Sequence, residues 1–244
     1  MLVFYWPDLA TADIPRLPSL LLTKRKLLGL VMSIFDVSGL LSPVTIKLKL
    51  KLKKLFRNEN VQLTWDDEIP ADLHPPWVKL LTELLSMPRV EVPRSVKPKD
   101  SIGSPELFIF FDGSTDAYGA SVYVRHHTET GFQSSLLIAK ARVTTVRGTT
   151  TPKSELSGLL IASRLLLTVL RSMPEKPSEV FIAGDSQCTI AALEKSGDQL
   201  GPYFCNRVSE ILQNLDEAKN MVDGIQIHPV YHVAGIENPA DLIT

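Results

Sequence analysis

Residues 107–114, LFIFFDGS, place five apolar residues in a row and end them on Asp112-Gly113-Ser114. A continuous apolar run of this length suits a central strand buried on both faces. A carboxylate at its mouth is costly to desolvate without a partner. Residues 180–187, VFIAGDSQ, repeat the design with Asp185. Two further acids stand in frames of their own, Glu155 in TPKSELSGLL and Asp241 in ENPADL. Taken singly, each has a plain explanation: a turn residue, a first-turn helix acid, an N-cap. Taken together they differ, because strand ends and helix starts of one α/β sheet open onto the same edge. Four converging carboxylates repel one another unless cations sit between them. Oxygen-only donors without paired Cys/His spacing favour Mg²⁺ or Mn²⁺ over zinc.

Working outward, Gly119–Val124 and Leu136–Arg142 follow Asp112 as strands at hairpin spacing, and Thr151–Arg171 is a long Leu-rich helix. Val180–Gly184 is another buried strand. Helices are expected near Gln187–Lys195 and Tyr203–Leu215, and a final strand over Ile225–Val233, with a proline at position 229. The order β-β-β-α-β-α-α-β predicts an α/β fold around a mixed five-stranded sheet with flanking helices.

The first part of the chain reads differently. Residues 1–22 form an irregular opening with Pro7, Pro15 and Pro18, and Leu2–Trp6 is a candidate strand remnant. Thr23 caps a helix through Phe35, which Val37-Ser38-Gly39 breaks. Ser42-Pro43 then reads as a helix start. The KLKLKLKKLF that follows fits a strand period, but Leu48, Leu52, Leu55 and Phe56 also make a helical stripe, and the capping pair favours helix. A third helix covers Pro76–Leu85. Residues 87–105, with Pro88, Pro93, Pro98 and Pro105, read as a linker. We therefore expect a mainly helical segment over 1–100 and a second domain over 106–244.

A chain of 244 residues with 44% apolar and 22% charged residues has the composition of an ordinary globular protein. Its net charge of −1 conceals an asymmetry: residues 1–58 hold ten Lys/Arg and three Asp/Glu, the remaining 186 hold sixteen and twenty-four. A basic arm beside an acidic domain suits a polyanion-binding segment next to a metal-carboxylate site. Two cysteines, Cys188 and Cys205, make neither a disulfide framework nor a zinc site, so a reducing intracellular setting is expected. The longest apolar stretch, LLGLVMSIF, falls short of the ~20 residues of a membrane span. Cys188 reads as a packed small apolar residue, since no base lies beside it. His126-His127 is set aside as a ligand pair because neighbouring strand side chains point to opposite faces.

At these residues the chain resembles the ribonuclease H domain of reverse-transcribing elements: Asp112 ending the first strand, Ser154-Glu155-Leu156 in the first helix, Gly184-Asp185-Ser186-Gln187 after the fourth strand, and a late Asp241. His232, nine residues before Asp241, resembles that family's mobile-loop histidine. More narrowly, the chain is similar to BEL/Pao retrotransposon polyproteins, through TKRKLLGLVMSIFDVSGLLSPVTIKLK, TWDDEIP, AKARV, YFCNRVSEI and ENPADLI. The resemblance implies that residues 1–100 are the thumb or connection end of a reverse transcriptase whose palm and fingers lie elsewhere in the polyprotein. No Tyr-x-Asp-Asp box is present, and Trp65-Asp66-Asp67 lies in a polar loop. It further implies two Mg²⁺ or Mn²⁺ ions ~3.5–4 Å apart, held by Asp112, Glu155, Asp185 and Asp241, with Asp112 bridging. The substrate would be the RNA strand of an RNA–DNA hybrid, met around Gly113, Ser114, Ser186 and Gln187, with Arg207, Lys140 and Arg142 as candidate phosphate contacts. His232 would assist product or metal release. The expected setting is cytoplasmic, in a virus-like particle, or nuclear.

Two other readings stay open at this point. One is a ribonuclease H-like tether that binds nucleic acid without cutting it. The other is an aspartic peptidase, since elements of this kind encode one; its chemistry needs paired Asp-Thr/Ser-Gly loops, whereas Asp112-Gly113-Ser114 has the reverse order. An integrase would place its Glu last, whereas here Glu155 is second. Only Leu242, Ile243 and Thr244 follow Asp241, so the fourth acid is expected to be the weakest.

Overall fold

The computed structural model describes residues 2–3, 11–57, 63–87, 91–93, 95–145 and 147–244; Phe4–Trp6, Pro7 and Pro88, singled out above, lie outside them. Two compact units result, Met1–Val37 with Val44–Arg94, and Ser38–Pro43 with Ser95–Thr244.

The first unit holds a short strand, β1 (Leu2–Val3), and helices α1 (Lys24–Met32), α2 (Ser42–Arg57, from Val44 onward) and α3 (His74–Leu85), followed by β2 (Glu91–Val92), which pairs antiparallel with β1. Thr23 starts α1 by accepting the Lys26 N–H on its hydroxyl at 3.3 Å. The Lys/Leu alternation folds as helix. Leu48, Leu52 and Leu55 recur on one helical face and are buried with Leu27, Val31, Trp77 and Leu81. A strand would also have separated Leu48, Leu50 and Leu52 from the lysines, so the alternation alone does not decide. The helix is the form that buries Leu48, Leu52 and Leu55 together against the other two helices.

The second unit is built on β3 (Ser101–Gly113), β4 (Ala117–Thr128) and β5 (Gly131–Val143), then α4 (Thr151–Ser172), β6 (Glu179–Gly184), α5 (Gln187–Ala192), α6 (Pro202–Met221), β7 (Gln226–Ile227) and β8 (Tyr231–His232). The sheet order is β5-β4-β3-β6-β7, with β8 also on β6. β3, β4 and β5 run antiparallel, while β6 runs parallel to β3. This is the expected mixed α/β sheet. The β-rich fold that an aspartic peptidase needs is not what these residues form.

Two expectations need correction. β3 begins at Ser101, so residues 101–105 belong to the sheet rather than to a linker; Ile102 pairs with His127 across an irregularity that ends at Glu106. The single strand over Ile225–Val233 is instead two short ones, β7 and β8, both parallel to β6. Pro229 falls between them and has no N–H to give the ladder.

The core joins the buried side chains of β3, β4 and β6 to α4, whose Leu156, Leu159, Leu166 and Leu170 are fully enclosed. α4 comes unusually close to the sheet because Gly158 lies directly on it. A Cβ there would overlap the Asp112 carbonyl oxygen and stand 3.1 Å from the Gly119 oxygen. Gly113 likewise leaves room for the backbone of Ser154 and Glu155. Gly158→Ala sets two effects against each other: helix propensity favours Ala by about 1 kcal/mol, and overpacking against rigid backbone costs about 1–3 kcal/mol. We expect packing to win, lowering the thermal midpoint by several degrees in a calorimetric scan; an unchanged or raised midpoint would contradict the close approach.

Candidate active site

The parallel register of β3 and β6 pairs Phe111 with Gly184. The next residue of each strand is an acid, so Asp112 and Asp185 leave the same sheet edge side by side. α4 delivers the third acid: with Gly158 seated on β3 and β4, Glu155 stands one turn earlier, over Gly113.

Asp112 is 7% exposed, and Glu155 and Asp185 are half-buried. Burial pushes the Asp112 carboxyl above the usual carboxylate range, and the neighbouring Asp185 charge pushes the same way; hydrogen bonds from Thr244 and the Gly113 N–H pull against both. Burial also raises Glu155, with the charges of Asp185 and Asp112 adding to it, while the Ser186 hydroxyl opposes. The three acids therefore sense one another. They do not stand as a preformed cage, since among the described residues no group of three or more Asp, Glu, His or Cys is arranged to hold an ion. The donor set nevertheless fits a hard divalent cation, being all oxygen and carrying like charges that a cation would relieve.

The remaining candidates separate by position. Asp241 lies in the 3₁₀ turn Pro239–Ile243, and its carboxylate is exposed, outside the charges acting on Asp112 and Glu155. The Thr244 hydroxyl occupies the flank of Asp112 instead, donating to its Oδ2. His232 is exposed on β8, opposite Gly184 and hence beside the strand that ends at Asp185. Ser114 closes the β3–β4 hairpin, its hydroxyl accepting the Asp116 and Ala117 N–H groups at 3.1 Å each. Gln187 is exposed at the start of α5. Lys140 and Arg142 are exposed on β5. Arg207 stacks on the Tyr203 ring at 3.5 Å and donates to the Tyr203 carbonyl at 3.2 Å. Cys188 is exposed, which corrects the packed position expected for it. His126 is buried and His127 turns to Glu106 at 3.1 Å, on opposite faces as a strand requires.

Residues that sequence reasoning passed over hold this arrangement. Asn238 is 3% exposed; its side-chain N–H₂ donates to the Phe111 carbonyl at 3.0 Å and its Oδ1 accepts the Ala240 N–H at 3.1 Å. It thereby ties the C-terminal turn to the strand that carries Asp112. Asn-Pro reads in sequence as a turn and nothing more. Gly158 had a usable signal, an isolated glycine in a helical pattern.

The raised carboxyls predict a pH dependence. The folded chain keeps the Asp112 and Glu155 protons to higher pH than the unfolded chain, whose ordinary values are 3.8 and 4.5. Unfolding thus releases protons in that window, and metal-free stability falls as pH rises from those values through the raised folded ones. In chelator at pH 7, Asp112→Asn should unfold a few degrees higher than the unaltered chain, on the order of 1 kcal/mol. The gain should shrink toward pH 4. Equal midpoints at pH 7 would mean that the acids do not strain the fold.

Residues 23–186 match the sequence model of the Pao retrotransposon-like RNaseH-like domain, a stretch that takes in Asp112, Glu155 and Asp185. No curated protein matches the sequence. Among solved structures, the N-terminal RNase H domain of Rv2228c from Mycobacterium tuberculosis is similar at 15% identity and a TM-score of 0.40, over 58% of this chain and 91% of that one. RNase H1 from Halobacterium salinarum is similar at 14% identity and a TM-score of 0.35, over 57% and 91%. LC11-RNase H1, solved with an RNA/DNA hybrid, is similar at 15% identity and a TM-score of 0.36, over 57% and 93%. With more than half of its length matched, the chain belongs to the Pao retrotransposon-like family of ribonuclease H-like domains.

Proposed function

We propose that the second unit is a nuclease that hydrolyses the RNA strand of RNA–DNA hybrids, using two divalent cations, Mg²⁺ or Mn²⁺. The observation that carries this is the trio Asp112, Glu155 and Asp185, brought from two strand ends and a helix into mutual electrostatic contact. Family membership supports the reaction class. When bound, the ions supply an activated water and neutralise charge developing on the phosphodiester. The chain's part is to hold carboxylate oxygens at one sheet edge, with Asp112 as the shared donor that the family resemblance implies. The backbone at Gly113, with Ser114 and Gln187 on adjoining turns, offers polar groups to the sugar-phosphate strand, where a 2′-hydroxyl distinguishes RNA. Lys140, Arg142 and Arg207 are candidates for phosphate contacts, and exposed His232 for product release. Asp241 joins the site only if its turn moves. In this account the first unit is the end of a reverse transcriptase whose palm and fingers complete the polyprotein, acting inside the cell.

One observation favours a second reading, a tether that binds hybrid without cutting it: the Asp241 carboxylate is exposed and apart from the trio. Cleavage of a labelled RNA–DNA hybrid in millimolar Mg²⁺ separates the two. We expect cleavage, lost by at least about 100-fold in Asp185→Asn, because even residues that merely support metal ligands cost 10–100-fold. Asp241→Asn should lose less. Binding without cleavage would establish the tether, and unchanged cleavage by Asp185→Asn would remove the two-metal mechanism.

A further inference from the structure

Ser186 is 6% exposed, and its hydroxyl is committed inside the protein. Its Oγ donates to Glu155 Oε2 at 2.5 Å, accepts the Thr189 N–H at 3.2 Å as the N-cap of α5, and lies 3.0 Å from Thr189 Oγ1. Capping a helix uses only the lone pairs of a serine. The proton is left over, and here it goes to the catalytic-site glutamate. We propose that Ser186 is a positioning residue that holds the Glu155 carboxylate in place for the cation, rather than a group that touches substrate. The inference rests on the nuclease reading above.

The need for such a restraint follows from charge and rotamer freedom. Glu155 reaches toward Asp112 and Asp185 on a flexible side chain, and both neighbours repel it while the cation is away. Without a tether, the carboxylate relaxes toward solvent and must be gathered back when the ion binds. The Ser186 proton opposes that drift. Its position is fixed by the α5 cap and by the backbone of Asp185, the acid immediately before it. One dipeptide thus supplies one ligand and steadies a second, and the seating of α5 is coupled to the geometry of α4.

The test uses the full 244-residue chain, with Mn²⁺ binding followed by calorimetry without nucleic acid, and steady-state cleavage of a hybrid. Ser186→Ala should weaken Mn²⁺ binding and lower kcat by about 10–100-fold, leaving KM for the hybrid unchanged. Ser186→Thr, which keeps the hydroxyl, should stay within a few-fold of the original. Ser186→Gly retains most of the N-cap preference, so it should fold normally yet lose as much Mn²⁺ affinity as Ser186→Ala. A folded Ser186→Gly chain that binds Mn²⁺ normally overturns the inference, as does a rise in KM with kcat intact, which would place Ser186 on the substrate. If the unaltered chain neither binds Mn²⁺ nor cleaves, the nuclease reading falls and takes this inference with it. If the unaltered chain does both and Ser186→Ala matches it, the inference falls alone.

Discussion

The parallel pairing of Phe111 with Gly184 is the constraint from which the site follows. Parallel strands in register carry their next residues out of the sheet at the same level, so Asp112 and Asp185 have no means of avoiding each other. Antiparallel neighbours would have sent them to opposite ends. The close seating of α4 then adds Glu155, because Gly158 of the helix and Gly113 of the strand beneath it carry no Cβ to hold the two backbones apart. A rigid backbone therefore imposes proximity on three like charges, and the side chains answer with the few devices open to them: partial burial, a hydroxyl from Thr244, a hydroxyl from Ser186.

The C-terminal turn shows how the remaining edge is managed. The β3–β6 ladder ends at Phe111, and the Asn238 amide meets the carbonyl there, satisfying a buried acceptor that a further strand residue would otherwise take. Leaving such a group unpaired typically costs about 1–3 kcal/mol, so the clamp fixes the turn firmly. The 3₁₀ geometry beyond it turns Ala240 and Ile243 into the fold and leaves Asp241 and Leu242 outside. Apolar packing of two residues thus decides where the fourth acid points. It also brings Thr244, rather than Asp241, against Asp112.

What could be read from the sequence depended on whether one local period determined the answer. LFIFFDGS and VFIAGDSQ were legible as strands with acids at their mouths because both are unbroken apolar runs. The expected burial on both faces does not hold: Phe108, Phe110 and Phe181 are only half-buried on the second face, where Arg125 stacks on Phe108 and His228 on Phe181. The helical leucines of α2 were legible through their capping pair. The full lengths of β4 and β5 were not, since residues such as Thr128 and Gln133 extend them by cross-strand pairing alone, which composition does not announce. Pro229 was noticed, but its effect depends on the β6 groups it faces. The proton of Ser186 and the amide of Asn238 act across 31 and 127 residues of chain, distances over which no local pattern speaks.

The arrangement is uneconomical as pure structure. Buried like charges weaken a fold, and Asn or Gln at these positions would pack in the same space without repulsion. Positions 112 and 155, whose carboxyls are raised chiefly by burial, give up stability that simple amides would restore, yet their surroundings are orderly: capped helix, clamped turn, seated glycine. Strain of that kind, held by well-satisfied neighbours, is intelligible when something outside the chain supplies the missing positive charge. On the two-cation reading a divalent cation would do so, with Asp112, Glu155 and Asp185 as the oxygen donors that the backbone brings to one sheet edge.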